Sequence, residues 1–219
     1  MIRNTLLALC LTGTALCADE PVDVNQLSEA FGNFLGRSLA KKHNELPLDQ
    51  EKVIEGIRKG YAGEPSPLSE RDYQLAISAL QTQEREKVAK ENLEKAEAYL
   101  STIDEKDEMN EIVPKKLYYS LLEAGEGPEV KENSSPLIHY TGKFIDGTVF
   151  GSSENTGPIS MPLNNTIPGF RMGLVGMHEG EKRRLYIHPD LAYGTSGDLL
   201  PNSLLIFDIE VLNAEDAAE

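Results

Sequence analysis

The chain has no tryptophan, and its only two cysteines, Cys10 and Cys17, fall within the first eighteen of 219 residues. Once that segment is removed, nothing remains for a disulfide or a thiol nucleophile. Positive charge is scarce: 21 Lys and Arg stand against 36 Asp and Glu, a net charge of −15. That balance excludes the basic face a nucleic acid requires and offers no attraction to anionic lipid. Beyond the leader no apolar run approaches the roughly 20 residues of a membrane-spanning helix. The four histidines, His43, His139, His178 and His188, lack metal-ligand spacing. Ser152 and Ser153 lack the strand-to-helix setting of a hydrolase serine. "GLVGMHEGE" lacks the lysine and the strand context of a phosphate loop. No pair of carboxylates stands out for acid–base work.

What is present begins with a leader. "MIRNTLLALCLTGTALCA" has a basic start at Arg3, an apolar run over Leu6–Leu11 and small residues before "DEP". This is the layout of a signal peptide over 1–18, which implies export. Cleavage falls near Ala18 or Cys17. A lipoprotein with acyl chains on Cys17 is the rival reading, against which Leu16 stands where a small residue is wanted.

Residues 23–83 carry helical periodicity. Leu27, Ala30, Phe31, Phe34, Leu35 and Leu39 form one stripe, and Val53, Ile54, Ile57 and Tyr61 form a second, capped by Asp49 and ended by Gly63. Ser69 and Asp72 have capping-box spacing for a third helix. Three short helices make a thin core, so this part, assigned to 19–83, is expected to pair with a second copy of itself through residues 23–83. Residues 84–113 contain neither Gly nor Pro and read as a long connecting helix, solvated except for a narrow face of Leu93, Ala96, Leu100 and Ile103, with a short coiled coil as the rival. From Pro114 the pattern changes to alternating strands separated by Gly, Pro, Asn and Asp, with a tight turn at Asp146–Gly147 and one helical stretch near "GFRMGLVGM". Residues 114–219 are therefore a compact antiparallel α+β domain.

Within that domain Tyr140, Phe150, Ile167, Phe170, Tyr193 and Phe207 lie on separate segments and by themselves read as core. Their context says more. "HYTGKFIDGTVFGSS", "TIPGFRMGLVGMHEGEKRRLYIHPDLAYG" and "PNSLLIFDIEVL" resemble, in order and spacing, the FKBP-type peptidyl-prolyl isomerases. The N-terminal "AFGNFLGRSLAKK…VIEGIRKGYAGE" resembles the helical domain of their bacterial macrophage infectivity potentiator (Mip) subgroup, which with the leader implies export to the periplasm or the outer-membrane surface of a bacterium.

The resemblance implies an α+β fold: an FKBP-like twisted antiparallel sheet wrapped around a short helix, preceded by an all-α dimerisation domain and a long connecting helix. It implies an apolar proline pocket. Tyr140, Phe150, Tyr193 and Phe207 would be its catalytic residues, Ile167 and Phe170 its back and floor. Ile159, Met161 and Leu199 would be further substrate contacts. The implied partners are proline-containing polypeptides and FK506/rapamycin-like macrolides; no cofactor is needed. Two positions depart from the family pattern. Phe170 stands where tryptophan is common, and Gly151 stands where the family's "VFDSS" has a rim aspartate. The second departure opens an alternative, a dimeric chaperone or binding module with weak catalysis.

Overall fold

The structure is a computed structural model describing residues 23–43, 46–104 and 109–214; the expected leader over 1–18 lies outside them. The chain divides between Pro67 and Leu68 into two units, each described by itself.

The first unit holds α1 (Val24–His43) and α2 (Gln50–Tyr61). Each starts at an aspartate. Asp23 accepts from the Asn25 and Gln26 amides at 2.9 and 3.3 Å, and Asp49 accepts from the Lys52 amide at 2.9 Å, satisfying N–H groups that a helix start leaves orphaned. Glu55 joins Lys52 and Lys59 at 2.8 and 2.7 Å along the solvent side of α2. The apolar stripes stay uncovered in the single chain. No side chain of α2 is buried, and Phe31 and Phe34 of α1 are 65% and 70% exposed.

The second unit opens with α3 (Glu70–Asp104), 35 residues without a break. Ser69 caps it: its hydroxyl bonds the Asp72 carboxylate at 2.7 Å and accepts from the Asp72 amide at 3.2 Å. The third short helix and the connecting helix read from the sequence are thus one element. It does not run to 113, because Asn110–Val113 pair as a strand. The narrow face read from the sequence is the covered one: Ala96, Leu100 and Ile103 are buried against Tyr118, Tyr186, Leu204 and Ile206.

Those partners belong to a sheet of seven strands: β1 (Asn110–Val113), β2 (Leu117–Glu123), β3 (Leu137–Lys143), β4 (Val149–Ser152), β5 (Ile159–Ser160), β6 (Lys182–Ile187) and β7 (Leu205–Asn213). The order is β1-β2-β6-β7-β3-β4, with β5 added beside β3, and every pair is antiparallel. Period-two alternation gives the sheet two apolar faces. Leu117, Ile138, Leu185, Ile187, Leu205, Phe207, Ile209 and Val211 point to one side. Tyr118, Tyr186 and Ile206 point to the other, under α3. At the β3–β4 turn Gly147 has φ +86°, a conformation glycine adopts without a Cβ penalty, and Asp146 accepts from the Thr148 amide at 2.9 Å.

On the first face lies α4 (Pro168–Leu174), with Phe170 and Leu174 buried. Pro168 opens it where a missing N–H costs nothing. Its far end is held by the buried Arg183 of β6, whose guanidinium donates to the Gly173 and Gly176 carbonyls at 3.2 Å each, bonds Glu181, and lies 4.2 Å from the centre of the Tyr119 ring. A cation at a helix C-terminus meets both orphan carbonyls and the negative end of the dipole.

The helix sits close enough to touch the sheet through its backbone. A Cβ built on Gly169 comes within 2.3 Å of Ile187 Cγ2 and 3.0 Å of the Leu191 carbonyl oxygen. Neither a β-branched side chain in a strand nor a backbone oxygen can easily give way. Gly169→Ala is expected to destabilise this unit by about 1–3 kcal/mol, the usual penalty for overpacking. Urea unfolding followed by circular dichroism measures it.

Candidate functional site

Between α4 and the concave side of the sheet lies a cleft of about 720 Å³, lined by residues from β3, β4, β7, α4 and the loops around them. A site of that volume accommodates a small ring with its flanking groups. Its interior is aromatic. Phe207 on β7 is the hub: its ring centre lies 5.0 Å from Phe170, 5.5 Å from Phe150 and 6.4 Å from Tyr140. The first two contacts are edge-to-face, at 73° and 85°, the arrangement that aligns a positive ring edge with a negative ring face. Phe144 backs Phe150 at 5.0 Å.

The rings come together because the backbone of β3 gives way to them. Gly142 pairs with both Phe207 and Gly151, and a Cβ placed on it would lie 2.6 Å from the Phe150 ring and 2.9 Å from that of Phe207. A glycine here is a packing requirement. Its neighbour across the ladder, Gly151, lines the cleft itself; a Cβ on it would meet the Tyr140 hydroxyl at 3.4 Å, an ordinary contact.

Of the nine residues singled out from the sequence, eight line this one cleft: Tyr140, Phe150, Met161, Ile167, Phe170, Tyr193, Leu199 and Phe207. Ile159 does not. It pairs with Ile138 on β3 and packs against the main core. Asn165, Thr166, Pro168 and Asp198 line the cleft without having been singled out. Thr166 and Pro168 flank Ile167 inside the quoted "TIPGF", so adjacency was a usable signal for them. Asn165 ends a short 3-10 helix, Leu163–Asn165, and Asp198 lies in the loop after Tyr193, with no pattern to mark either.

The two tyrosines differ in setting. Tyr140 is half-buried against Phe207, whereas Tyr193 is 47% exposed at the mouth. Among the described residues neither phenol is engaged in a hydrogen bond, so both are available to a ligand. Behind the cleft, on the outer face of the sheet, Asp208 receives Lys143 at 2.6 Å and is paired with Arg184. Burial would raise the Asp208 pKa, but the bonds from Arg184 and Lys143 outweigh it and hold the carboxyl below its ordinary value. The strand that carries Phe207 is thereby cross-linked to both neighbours, β6 and β3. The cleft can enclose an apolar ring, offer phenolic donors at its edge, and keep water from the ring's far side.

The chain matches two family models. Residues 127–212 match the FKBP-type peptidyl-prolyl cis-trans isomerase model, and residues 24–120 match the domain amino terminal to FKBP-type peptidyl-prolyl isomerase. A protein of Chlamydia trachomatis serovar D named peptidyl-prolyl cis-trans isomerase Mip is 43% identical over 207 residues, covering 94% of this chain and 85% of the relative. FkpA of Escherichia coli K12, named as an FKBP-type peptidyl-prolyl cis-trans isomerase, is 30% identical over 210 residues, covering 91% and 77%. The crystal structure of FkpA from Escherichia coli superposes with a TM-score of 0.74 over 90% of this chain and 99% of that one, at 29% identity. Relatedness of this extent, joined to an aromatic cleft built from the quoted motifs, means that the chain belongs to the FKBP-type peptidyl-prolyl cis-trans isomerases, in their Mip group.

Proposed function

We propose that the chain accelerates cis–trans isomerisation of X–Pro bonds in polypeptides, with the aromatic cleft as the seat of the reaction. The observation that carries this reading is the Phe207 hub, which gathers Tyr140, Phe150 and Phe170 around one apolar space. Uncatalysed, the bond turns in tens to hundreds of seconds, because rotation has to break amide resonance at about 18–20 kcal/mol. Each tenfold gain in rate requires about 1.4 kcal/mol of binding realised only in the transition state. The twisted amide has lost its resonance, so its carbonyl is less polar and less dependent on water than that of the planar form. A dry pocket that holds the proline ring therefore favours the twisted state. Tyr193 at the mouth has a free phenol to donate to a substrate carbonyl and hold that geometry. No bond to the protein forms, so the absence of a nucleophile is no obstacle.

In this reading Tyr140, Phe150, Tyr193 and Phe207 act on the reacting amide, and Ile167, Phe170, Met161 and Leu199 hold its surroundings. Macrolides of the FK506 kind would enter the same cleft and meet Phe170 as a floor without an N–H donor. Residues 114–219 carry the chemistry, and the helices within 23–83 join two copies. Export is supported by the leader-like start and by the outer membrane protein MIP of Legionella longbeachae, 29% identical over 233 residues. Among the described residues no helix is long and apolar enough to cross a membrane. The alternative of a chaperone with weak catalysis is not favoured by relatives that are named as isomerases.

A protease-coupled assay on a proline tetrapeptide tests the reading with wild type beside Gly151→Asp. Wild type is expected to raise the rate clearly above background at micromolar enzyme, and no gain would overturn the proposal. A Cβ at 151 meets the Tyr140 hydroxyl at 3.4 Å without a clash, which puts the added carboxylate near enough to accept a hydrogen bond from it; such a bond is worth about 1.5–3 kcal/mol when one partner is charged. Part of that fixes the ring, so a gain of several-fold in kcat/KM is expected for Gly151→Asp.

A further inference from the structure

The loop from Tyr193 to Ser203 brings Tyr193 and Leu199 to the cleft, and its backbone is gripped from outside by α3. Arg85 Nη2 donates to the Thr195 carbonyl at 2.8 Å and to the Gly197 carbonyl at 3.0 Å. Asn92 Nδ2 donates to the Pro201 carbonyl at 2.9 Å, and Asn202 Nδ2 returns a bond to the Ala89 carbonyl at 3.3 Å. Positions 85, 89 and 92 share one helix face by their spacing. The base of the loop is closed by the Asn202 amide donating to the Gly194 carbonyl at 2.8 Å.

One of the gripped peptides backs Tyr193 directly. A Cβ built on Gly197 would lie 2.7 Å from Tyr193 Cβ and 3.1 Å from Cγ, so the Gly197 backbone is packed against the root of that side chain. Tyr193 is otherwise nearly half exposed and its phenol has no bond of its own among the described residues. We propose that Arg85 is a positioning residue: by holding the Thr195 and Gly197 carbonyls it fixes the Gly197 peptide against Tyr193 and so sets where the phenol points in the cleft. A guanidinium suits the task, because its donors lie in one rigid plane and its charge strengthens a bond to a neutral carbonyl. The geometry of the cleft mouth is thereby tied to α3. This rests on Tyr193 acting at the cleft, as proposed above.

The test uses the full chain labelled with 3-fluorotyrosine. Eight tyrosines give eight ¹⁹F lines, and Tyr193→Phe identifies the Tyr193 line. In Arg85→Ala that line is expected to shift or broaden while the other seven hold, with kcat/KM about fivefold lower through a lowered kcat and an unchanged thermal midpoint. Arg85→Lys, which restores a cationic donor, is expected to recover at least half of the loss. Lys87→Ala, two positions along the same helix, is expected to change neither readout. An unmoved Tyr193 line in Arg85→Ala overturns the clamp. So does an equal loss of activity in Arg85→Ala and Lys87→Ala, which would mark a general effect on the helix. Full activity in Tyr193→Phe instead overturns the role given to Tyr193, and with it the functional meaning of the clamp, a failure read separately from the ¹⁹F line.

Discussion

Phe207→Ala is expected to lower kcat/KM by about a hundredfold, which corresponds to about 2.7 kcal/mol of lost transition-state stabilisation. Phe207 touches three of the rings that bound the cleft, and it is itself only 5% exposed. Each aromatic pair contributes about 0.5–1.5 kcal/mol beyond buried area, so removing the hub releases Phe150, Phe170 and Tyr140 together. The ring also closes the dry side of the space in which a proline would sit, and alanine admits water there. Stability falls as well, by about 3–5 kcal/mol for a buried phenylalanine truncated to alanine. Phe207→Leu separates the two effects, because it keeps most of the volume and loses the ring edge. Kinetics in the protease-coupled assay, with the folded fraction checked by circular dichroism, give the result. A folded Phe207→Ala within threefold of wild type would falsify the hub's role. Tyr193→Phe is expected to cost less, up to about tenfold, the worth of one neutral hydrogen bond.

The aromatic cleft was legible because its residues sit inside short runs whose order is itself informative. Tyr140 in "HYTG" and Phe207 in "LIFD" are fixed to one face of two strands by period-two alternation, and the β3–β7 pairing brings them together, while Phe150 in "TVFG" joins them at the register shift between β3 and β4. Ile159 shows where this fails: its two-residue strand is too short for alternation to say which way a side chain points. The length of α3 was misread for a different reason. The run over residues 84–113 has no Gly or Pro to mark an end, yet its last residues, Asn110–Val113, find a partner in β2 and pair as a strand. Tertiary pairing outweighed local propensity. The narrow stripe of Ala96, Leu100 and Ile103 was legible as an apolar face, but its cover, the outer side of the sheet at Tyr118, Tyr186 and Ile206, was not. The bonds from Arg85 and Asn92 were invisible, because side-chain contacts to backbone carbonyls more than a hundred positions away leave no periodic trace.

The second large effect is a solution mass about twice that of one chain. A helix in a protein draws most of its stability from burying an apolar face, and one of 12 residues, like α2, is marginal alone. Yet every side chain of α1 whose exposure is described is exposed, Leu27, Phe31, Phe34 and Leu35 among them, and α2 adds Ile54, Ile57 and Tyr61. Apolar rows that solvent alone covers mark a surface made for a partner. A second copy of this chain is the partner proposed, because a symmetric interface buries the same row twice and each phenylalanine removed from water contributes about 1.5–3 kcal/mol. Phe31→Glu with Phe34→Glu therefore alters four positions in the dimer and is expected to give monomers at tens of micromolar, with lower helix content by far-ultraviolet circular dichroism. The cleft is built entirely within the second unit, so kcat/KM on a tetrapeptide is expected to stay within twofold of wild type. Sedimentation equilibrium decides: a monomeric wild type at the same concentration would remove the self-pairing proposal, and a dimeric double variant would place the contact away from α1.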